Sequence, residues 1–134
     1  MTGPEGPASP SSSGTGFPRT ARLLRHADFE RVYKQGQRHF ASLMTVFYRS
    51  RDEGEGLRIG FTVSRMLGGA VKRNRMRRRL REAVRQHRHE ATVAADVVIN
   101  PKKALLTAEF SEISRQVEAA FAVIQRKLAE RTKE

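Results

Sequence analysis

Apolar residues recur at helical spacing in three segments of the chain, and this pattern predicts three amphipathic helices. The first helix is predicted over residues 27–35, where Phe29, Val32 and Tyr33 are spaced i, i+3 and i+4. Gly36 follows at a position where helices often end. We therefore expect a short helix that buries one face.

The middle helix is predicted over about residues 70–88, after a break in the pattern at Gly68 and Gly69. Its apolar stripe consists of Met76, Leu80, Ala83, Val84 and His87. The opposite side carries Asn74, Arg75, Arg78, Arg81 and Arg85, with Arg73 and Arg77 beside the stripe. Residues 72–81 include seven cationic side chains out of ten. The pattern therefore predicts a packed helix with a charged outer face.

Three shorter segments predict β-strands, at residues 40–49, 57–63 and 96–100. The first of them has apolar or aromatic residues on both faces, Met44, Val46 and Tyr48 on one and Leu43, Thr45 and Phe47 on the other. We expect one face to be covered and the other to be used for binding. Residues 51–56 are typical of a hairpin loop.

The last helix is predicted to follow Thr107, a suitable N-cap. Its apolar face consists of Phe110, Ile113, Val117, Ala120, Phe121, Ile124 and Leu128. The order helix, strands, helix, strand, helix predicts an α+β domain in which helices pack against a small sheet. If the strands around the middle helix are parallel, the general rule predicts a right-handed crossover, and the sequence alone leaves the hand open.

The chain has 134 residues, enough for one domain with its own core. Residues 1–18 hold four of the five prolines and one charged side chain, so a disordered Pro/Gly/Ser-rich tail is predicted there and a single domain over residues 19–134. The first 18 residues lack the basic start and apolar centre of a secretory signal, so we expect a cytoplasmic location. The absence of cysteine excludes disulfides and thiolate chemistry.

The charge balance indicates a polyanionic partner. Twenty-six lysines and arginines against fourteen acidic residues give a net charge of +12 and a pI near 11.3. No apolar run is long enough to span a membrane. Guanidinium groups on a rigid helix suit phosphates, whereas a merely solvated face would leave like charges with little compensation beyond Glu82. A nucleic acid is therefore the favoured partner.

Single residues of the basic helix leave alternatives open. Asn74 is a poor helix former between two arginines, so it either hydrogen-bonds to a base or a ribose 2′-OH or caps the helix N-terminus. His87 and His89 point apart at i, i+2, so no metal site is predicted. No nucleophile–base–carboxylate set and no carboxylate cluster for two Mg²⁺ ions is recognisable, and no catalytic residue is predicted.

Residues 58–65 read RIGFTVSR and residues 68–83 read GGAVKRNRMRRRLREA. These two segments resemble the strand, the G-N-A-V turn, the R-N-R motif and the basic helix of the bacterial ribonuclease P protein component. Residues 27–36, ADFERVYKQG, resemble its opening helix, and residues 96–99, DVVI, resemble its late strand. The resemblance covers about residues 23–121.

The resemblance implies a two-layer α/β sandwich of order α-β-β-β-α-β-α, the fold class named after the second domain of a small-subunit ribosomal protein. It also implies a left-handed β-α-β crossover. The chain would be the accessory subunit of an endoribonuclease in which an RNA subunit performs the hydrolysis. Mg²⁺ would be held mainly by that RNA and by the substrate, precursor tRNA. No obligate protein partner and no membrane partner is implied.

The resemblance also assigns two groups of binding residues. The catalytic RNA is expected to contact Arg65, Lys72, Arg73, Asn74, Arg75, Arg77, Arg78 and Arg81. The single-stranded 5′ leader of precursor tRNA is expected to contact Phe29, Tyr33, Phe47, Arg58, Thr62 and Ser64. From the residues alone, core packing of Phe29 and Tyr33 is the stronger alternative.

The chain departs from the family pattern at three places. Gly69 replaces the asparagine of G-N-A-V, and Met66 replaces a basic residue. Asn100 begins a segment that replaces A-R-P, so either Lys102 or Lys103 takes the place of the arginine. A ribosomal or assembly RNA-binding protein is the alternative function, and a DNA-binding helix-turn-helix is disfavoured because a strand precedes the basic helix.

Overall fold

A computed structural model describes Arg22 and residues 25–132 of the chain, with side chains described as far as residue 129. The tail predicted for residues 1–18 lies outside the described residues. The described helices and strands are α1 His26–Gln35, β1 Gln37–Phe40, β2 Met44–Ser50, β3 Leu57–Phe61, α2 Ala70–His87, β4 Ala95–Pro101 and α3 Phe110–Thr132. Short 3₁₀ turns follow β3, α2 and β4 at Arg65–Leu67, Arg88–Glu90 and Lys103–Leu106.

The strands form one mixed sheet in the order β1-β2-β4-β3. β2 is antiparallel to β1 and β4, whereas β3 and β4 are parallel. Because β4 lies between β2 and β3, the hairpin predicted at residues 51–56 is wrong. A local turn signal shows only that the chain reverses, and it carries no information about which strand fills the space beside it.

The main core lies between one face of the sheet and helices α2 and α3. Alternate residues of β2 and β4 point into it, and α2 buries Met76, Leu80, Ala83 and Val84 as predicted. His87, the last residue of the predicted stripe, is half-buried. The predicted apolar face of α3 is also confirmed, with Ile113, Val117, Ala120, Phe121, Ile124 and Leu128 buried.

Helix α1 lies on the other face of the sheet. Val32 and Val98 form a second, smaller buried cluster there, with Phe29 and Phe47 packed against them. Gly36 ends α1 in extended backbone, and a Cβ at this position would come within 2.4 Å of the Val32 carbonyl oxygen. The glycine is therefore required by close backbone packing, since its φ of −89° is open to other residues.

Two local predictions are wrong. The segment predicted as one strand from residue 40 is divided by a bend at residues 41–43, with β1 before it and β2 after it. Leu43 at this bend is 7% exposed and belongs to the main core, on the same side as Met44. Thr107 ends the preceding 3₁₀ turn, and α3 begins only at Phe110.

The observed order α-β-β-β-α-β-α agrees with the predicted α+β fold class. The main sandwich consists of the sheet and the α2–α3 layer, and α1 covers part of the second face. The parallel pairing of β3 with β4 through α2 supplies the crossover that the resemblance implies. The left hand of that crossover stays a prediction.

Candidate RNA-binding surfaces

The first candidate surface is the basic face of α2, which we define as Lys72, Arg73, Asn74, Arg75, Arg77, Arg78 and Arg81. The chain enters α2 through Gly68, whose φ of 142° lies in the region that favours glycine. Gly69 occupies the N-cap without a side-chain hydrogen bond, and a Cβ there would meet nothing within 4 Å. The asparagine that the family carries would therefore fit at this position.

The cations of this face divide into two groups. Arg73 Nε donates to the Gly68 carbonyl oxygen at 3.1 Å and so fixes the turn. Lys72, Arg75 and Arg78 are exposed, and their side chains make no hydrogen bond or ion pair with any described residue. These three charges are available to an external anion.

Two further arginines of α2 have structural partners. Arg79 Nη1 donates to the carbonyl oxygens of Leu105 at 2.9 Å and Leu106 at 2.7 Å, and Arg79 Nη2 donates to that of Ala108. Arg85 forms an ion pair with Glu82 one helical turn away. Neither residue is among those predicted to bind RNA.

Arg22 joins the basic face from outside α2. It forms an isolated bridge with Ile59 at the edge of β3. Desolvation lowers the pKa of the exposed Arg81, and the like charges of Arg22 and Arg77 lower it further. A phosphate placed among these three guanidiniums would relieve their repulsion.

The position of Asn74 decides between its two interpretations. It is the fifth residue of α2, and Gly69 is the N-cap, so Asn74 does not cap the helix. Its exposed Oδ1 accepts a hydrogen bond from Arg77 Nη1 at 2.9 Å. The amide is held by an arginine at the surface, and its contact with a base or a ribose stays a prediction.

The second candidate surface is the sheet face beside α1, which we call the aromatic face and define by Phe29, Tyr33, Arg38, Phe40, Thr45, Phe47, Thr62 and Asn100. The rings of Tyr33 and Phe47 meet edge-to-face with centroids 4.9 Å apart. The Tyr33 hydroxyl lies 2.7 Å from Thr62 Oγ1 and 3.0 Å from Asn100 Oδ1 and hydrogen-bonds to both. Tyr33 is 36% exposed, whereas Phe29 is half-buried against the small cluster.

Arg58 and Ser64, both predicted to contact the leader, have internal partners. Arg58 Nε and Nη2 donate to the two oxygens of Asp96 at 2.8 and 2.9 Å, and this hydrogen bonding raises the pKa of Arg58. Ser64 Oγ accepts from the Met66 backbone N–H at 3.1 Å and caps the 3₁₀ turn before α2. The Arg58 charge is thus compensated by a buried carboxylate, and its leader contact stays a prediction.

Sequence reasoning missed four residues of the aromatic face, namely Arg38, Phe40, Thr45 and Asn100. Strand register places them: Phe40 lies opposite Thr45, and Thr45 lies opposite Asn100. The Arg38 guanidinium lies 5.6 Å from the centre of the Phe47 ring. The sequence signal for this surface is the alternation of Thr45 with Phe47 on one face of a strand. Phe40 falls within the same predicted strand, so the sequence does not reveal that it belongs to the separate strand β1.

The structure shows the surroundings of two of the positions at which the chain departs from the family pattern. Met66 is 92% exposed beside the start of α2. Lys102 Nζ donates to the Ala41 carbonyl oxygen at 2.8 Å, which supports the turn between β1 and β2. Lys103 has no side-chain partner among the described residues, so it is the better candidate for the place of the family's arginine.

The end of α2 carries a cluster of His87, Glu90 and Glu118 whose ligand-type atoms lie within 4.8 Å of one another. The i, i+2 argument about histidines did not anticipate it, because Glu118 comes from α3. His87 Nδ1 lies 2.9 Å from Glu90 Oε2, and His87 Nε2 lies 2.7 Å from Ser114 Oγ. Both ring nitrogens therefore have partners, Glu90 in the turn after α2 and Ser114 on α3, and only the second contact joins the two helices.

Among the described residues, no helix is both long and apolar enough to cross a membrane. The fold and the two surfaces instead define a class, that of small α+β RNA-binding proteins with a basic helix and an aromatic sheet face.

Comparisons with known proteins are more specific. The family model described as Ribonuclease P matches residues 17–125. The ribonuclease P protein component of Geobacter sp. (strain M21) is 38% identical over 121 residues, covering 87% of this chain and 99% of that protein. The Staphylococcus aureus RNase P protein structure has a TM-score of 0.69 at 27% identity, covering 78% of this chain and 95% of that one. The Thermotoga maritima RNase P protein structure has a TM-score of 0.67 at 25% identity, covering 75% and 94%.

The chain belongs to the ribonuclease P protein family, whose members are the protein subunits of the endoribonuclease that matures tRNA at its 5′ end. An RNA partner follows from membership of this family. The fold class predicted from the sequence is confirmed by the same comparisons.

Proposed function

We propose that this chain docks onto the catalytic RNA of ribonuclease P through the basic face of α2 and holds the 5′ leader of precursor tRNA on the part of the aromatic face around Tyr33 and Phe47. The RNA subunit, with Mg²⁺, hydrolyses the phosphodiester bond and leaves a 5′-phosphate on the mature tRNA. The cytoplasmic location predicted from the sequence is part of this proposal.

The observation that carries the proposal is the group of uncompensated cations on a rigid, packed helix. Lys72, Arg75 and Arg78 have no described protein partner, and Arg81 lies close to two other guanidiniums. Such an arrangement is unfavourable in the isolated protein and favourable against a phosphate backbone, because each phosphate contact releases counterions. About six contacts would give a log–log salt slope of roughly −5.

The aromatic face has the chemistry for an unpaired strand. Partly exposed rings at Tyr33 and Phe47 can stack on any base, which suits a leader whose sequence differs among precursors. The hydroxyls and the amide beside them supply hydrogen bonds to base edges or riboses. Only the precursor possesses a leader, so binding it favours substrate over product.

We expect no Mg²⁺ site on the two candidate surfaces themselves, because the described carboxylates beside them are engaged by arginines. On the aromatic face Asp28 faces Arg31 and Arg58, and Asp96 is bound by two arginines. The basic face itself contains no carboxylate. Mg²⁺ supplies charge neutralisation and nucleophile activation when RNA phosphates hold it, and this chain's part is to bind and orient the RNA.

Reconstitution tests the proposal. Full-length protein combined with a bacterial ribonuclease P RNA should raise the rate of precursor cleavage at low Mg²⁺ concentration by at least about tenfold, because protein binding replaces part of the ionic stabilisation. A matched sample uses the protein with Arg75→Ala and Arg78→Ala, which should lose most of this gain.

An absence of any gain with the intact protein, together with tight binding to ribosomal RNA, would instead favour the ribosomal or assembly alternative. Tighter binding to duplex DNA than to structured RNA would overturn the RNA assignment.

A further inference from the structure

The edge strand β1 carries an aromatic side chain that the proposed function does not yet use. Phe40 is 68% exposed, although its residue type is usually buried. Pairing across the sheet puts it on the aromatic face, since residues directly opposite in antiparallel strands point to the same side. Its neighbours there are Thr45 and, one strand further, Asn100.

Phe40 lies diagonally from Phe47, which is two residues beyond its partner Thr45 on β2. Diagonal neighbours on adjacent strands are about 7–8 Å apart, close enough for one RNA backbone to pass over both rings. Arg38 is on the same strand and face, with its guanidinium over the Phe47 ring. An aromatic pair with a cation beside it matches the composition of single-strand RNA sites.

The turn that follows Phe40 is held from the opposite layer of the fold. Gln116 of α3 is 7% exposed, and its Oε1 accepts from the Leu43 backbone N–H at 3.0 Å while its Nε2 donates to Ser42 Oγ at 2.7 Å. Lys102 Nζ fixes the Ala41 carbonyl oxygen in the same turn. The backbone that carries Phe40 is therefore preorganised, so fixing this backbone on binding costs little.

The positive charge near Phe40 indicates which kind of partner contacts its exposed ring. The chain carries a net charge of +12, and the β1 strand contributes Arg38 but no carboxylate. A polyanion that offers flat apolar surfaces satisfies both features, and unpaired RNA is such a ligand. An apolar protein partner would leave Arg38 to be desolvated at the contact.

We propose that Phe40 is a stacking platform for one further unpaired nucleotide of the leader, so that the leader site extends from α1 across the sheet to the edge strand β1. This inference rests on the proposed function. It adds a binding residue that lies outside the aromatic positions of α1 and β2.

The test measures the affinity of the reconstituted holoenzyme for precursors whose leader is shortened one nucleotide at a time. Phe40→Ala should weaken binding of long-leader precursor by about fivefold to about a hundredfold, the range expected for one lost stack. The effect should vanish once the leader is too short to reach β1. Phe40→Tyr should bind like the wild type, and Phe40→Leu, which is apolar but cannot stack, should bind like Phe40→Ala.

Three results would overturn the inference, and each is separable from failure of the proposed function. If Phe40→Ala keeps the full difference in affinity between leader-bearing and leaderless substrates, Phe40 is not a stacking platform, and the proposed function still stands. Equal weakening for leaderless and leader-bearing substrates would show that Phe40 acts elsewhere. Loss of a dimer on Phe40→Ala substitution, seen by sedimentation, would assign the ring to a second copy of the chain. If the wild-type holoenzyme binds leader-bearing and leaderless substrates equally well, the proposed function itself is wrong, and the inference about Phe40 is wrong with it.

Discussion

Asp96 joins three parts of the fold through one buried carboxylate. Its side chain is 3% exposed and accepts two hydrogen bonds from Arg58 of β3. Arg51 adds an ion pair at 3.3 Å and also donates to the Ala95 carbonyl oxygen at 2.7 Å. The carboxylate thus fixes the loop before β3 and the edge of the aromatic face.

We expect Asp96→Asn to lower the free energy of unfolding by about 2 kcal/mol. Removing one partner of a buried pair leaves uncompensated charge, and the partial exposure of Arg58 reduces the cost below that of a fully buried pair. Asp52→Asn, the same change at an exposed position of the neighbouring loop, is the matched control and should cost less than about 0.5 kcal/mol. Urea denaturation of both variants measures the difference, and equal losses would show that the ion pairs contribute nothing.

Side-chain partners are the part of the site that the sequence does not predict. The resemblance assigns Arg58 to the leader contacts, but its observed partner Asp96 is 38 positions away along the chain. The hydroxyl partners of Tyr33 are likewise distant along the chain, Thr62 just after β3 and Asn100 of β4. Side-chain pairing of this kind depends on strand register, and register is set by the whole sheet.

At the scale of elements, neighbouring arginines of α2 differ in their surroundings: one is hydrogen-bonded within the fold, and the next is exposed and can bind an external partner. Arg79 binds carbonyl oxygens at the turn before α3, whereas the adjacent Arg78 is exposed with no described partner. The two residues are chemically identical neighbours with opposite environments. They therefore provide an internal comparison for the basic face.

We expect Arg79→Ala to destabilise the fold by about 1.5–3 kcal/mol, because it removes charge-assisted hydrogen bonds to several carbonyls. Arg78→Ala should leave the free energy of unfolding within about 0.5 kcal/mol of the wild type and reduce the salt slope of RNA binding by about 0.7–0.9. Thermal unfolding and salt-dependent binding to the catalytic RNA measure the two effects. A stability loss in Arg78→Ala, or an unchanged salt slope, would contradict this assignment.

The helices and the strands β3 and β4 were predicted well, whereas β1 and the order of the strands in the sheet were not, for a physical reason. The stripe of Met76, Leu80 and Val84 repeats within one segment, so periodicity reveals it directly. β1 has a mostly exposed edge position and hence no alternating pattern, so it was missed. The insertion of β4 between β2 and β3 is a long-range property that no local signal carries.

At the scale of the whole molecule, the sheet separates two surfaces with different chemistry. The basic face belongs to the α2–α3 layer, and the aromatic face lies beside α1 on the other side. The chain links them through Ser64 and Arg65, which follow β3 and precede α2. In the proposed function, one small domain contacts two RNA molecules at once in this way.

Variants of each surface should therefore have separable effects. The substitutions chosen for the basic face are Arg75→Ala and Arg78→Ala, whose side chains have no described partner. Tyr33→Ala is chosen for the aromatic face, because the half-buried Phe29 would also lose core packing. Circular dichroism of each variant checks that the fold is retained.

The most direct measurement is binding of precursor tRNA with and without its leader by the holoenzyme, alongside assembly of each variant with the catalytic RNA. We expect the variant with both Arg75→Ala and Arg78→Ala to assemble less tightly with the catalytic RNA, whereas Tyr33→Ala should assemble normally and lose about fivefold or more in affinity for leader-bearing substrate only. Equal loss of assembly in both variants, or equal loss of affinity for both substrates in Tyr33→Ala, would contradict the two-surface account.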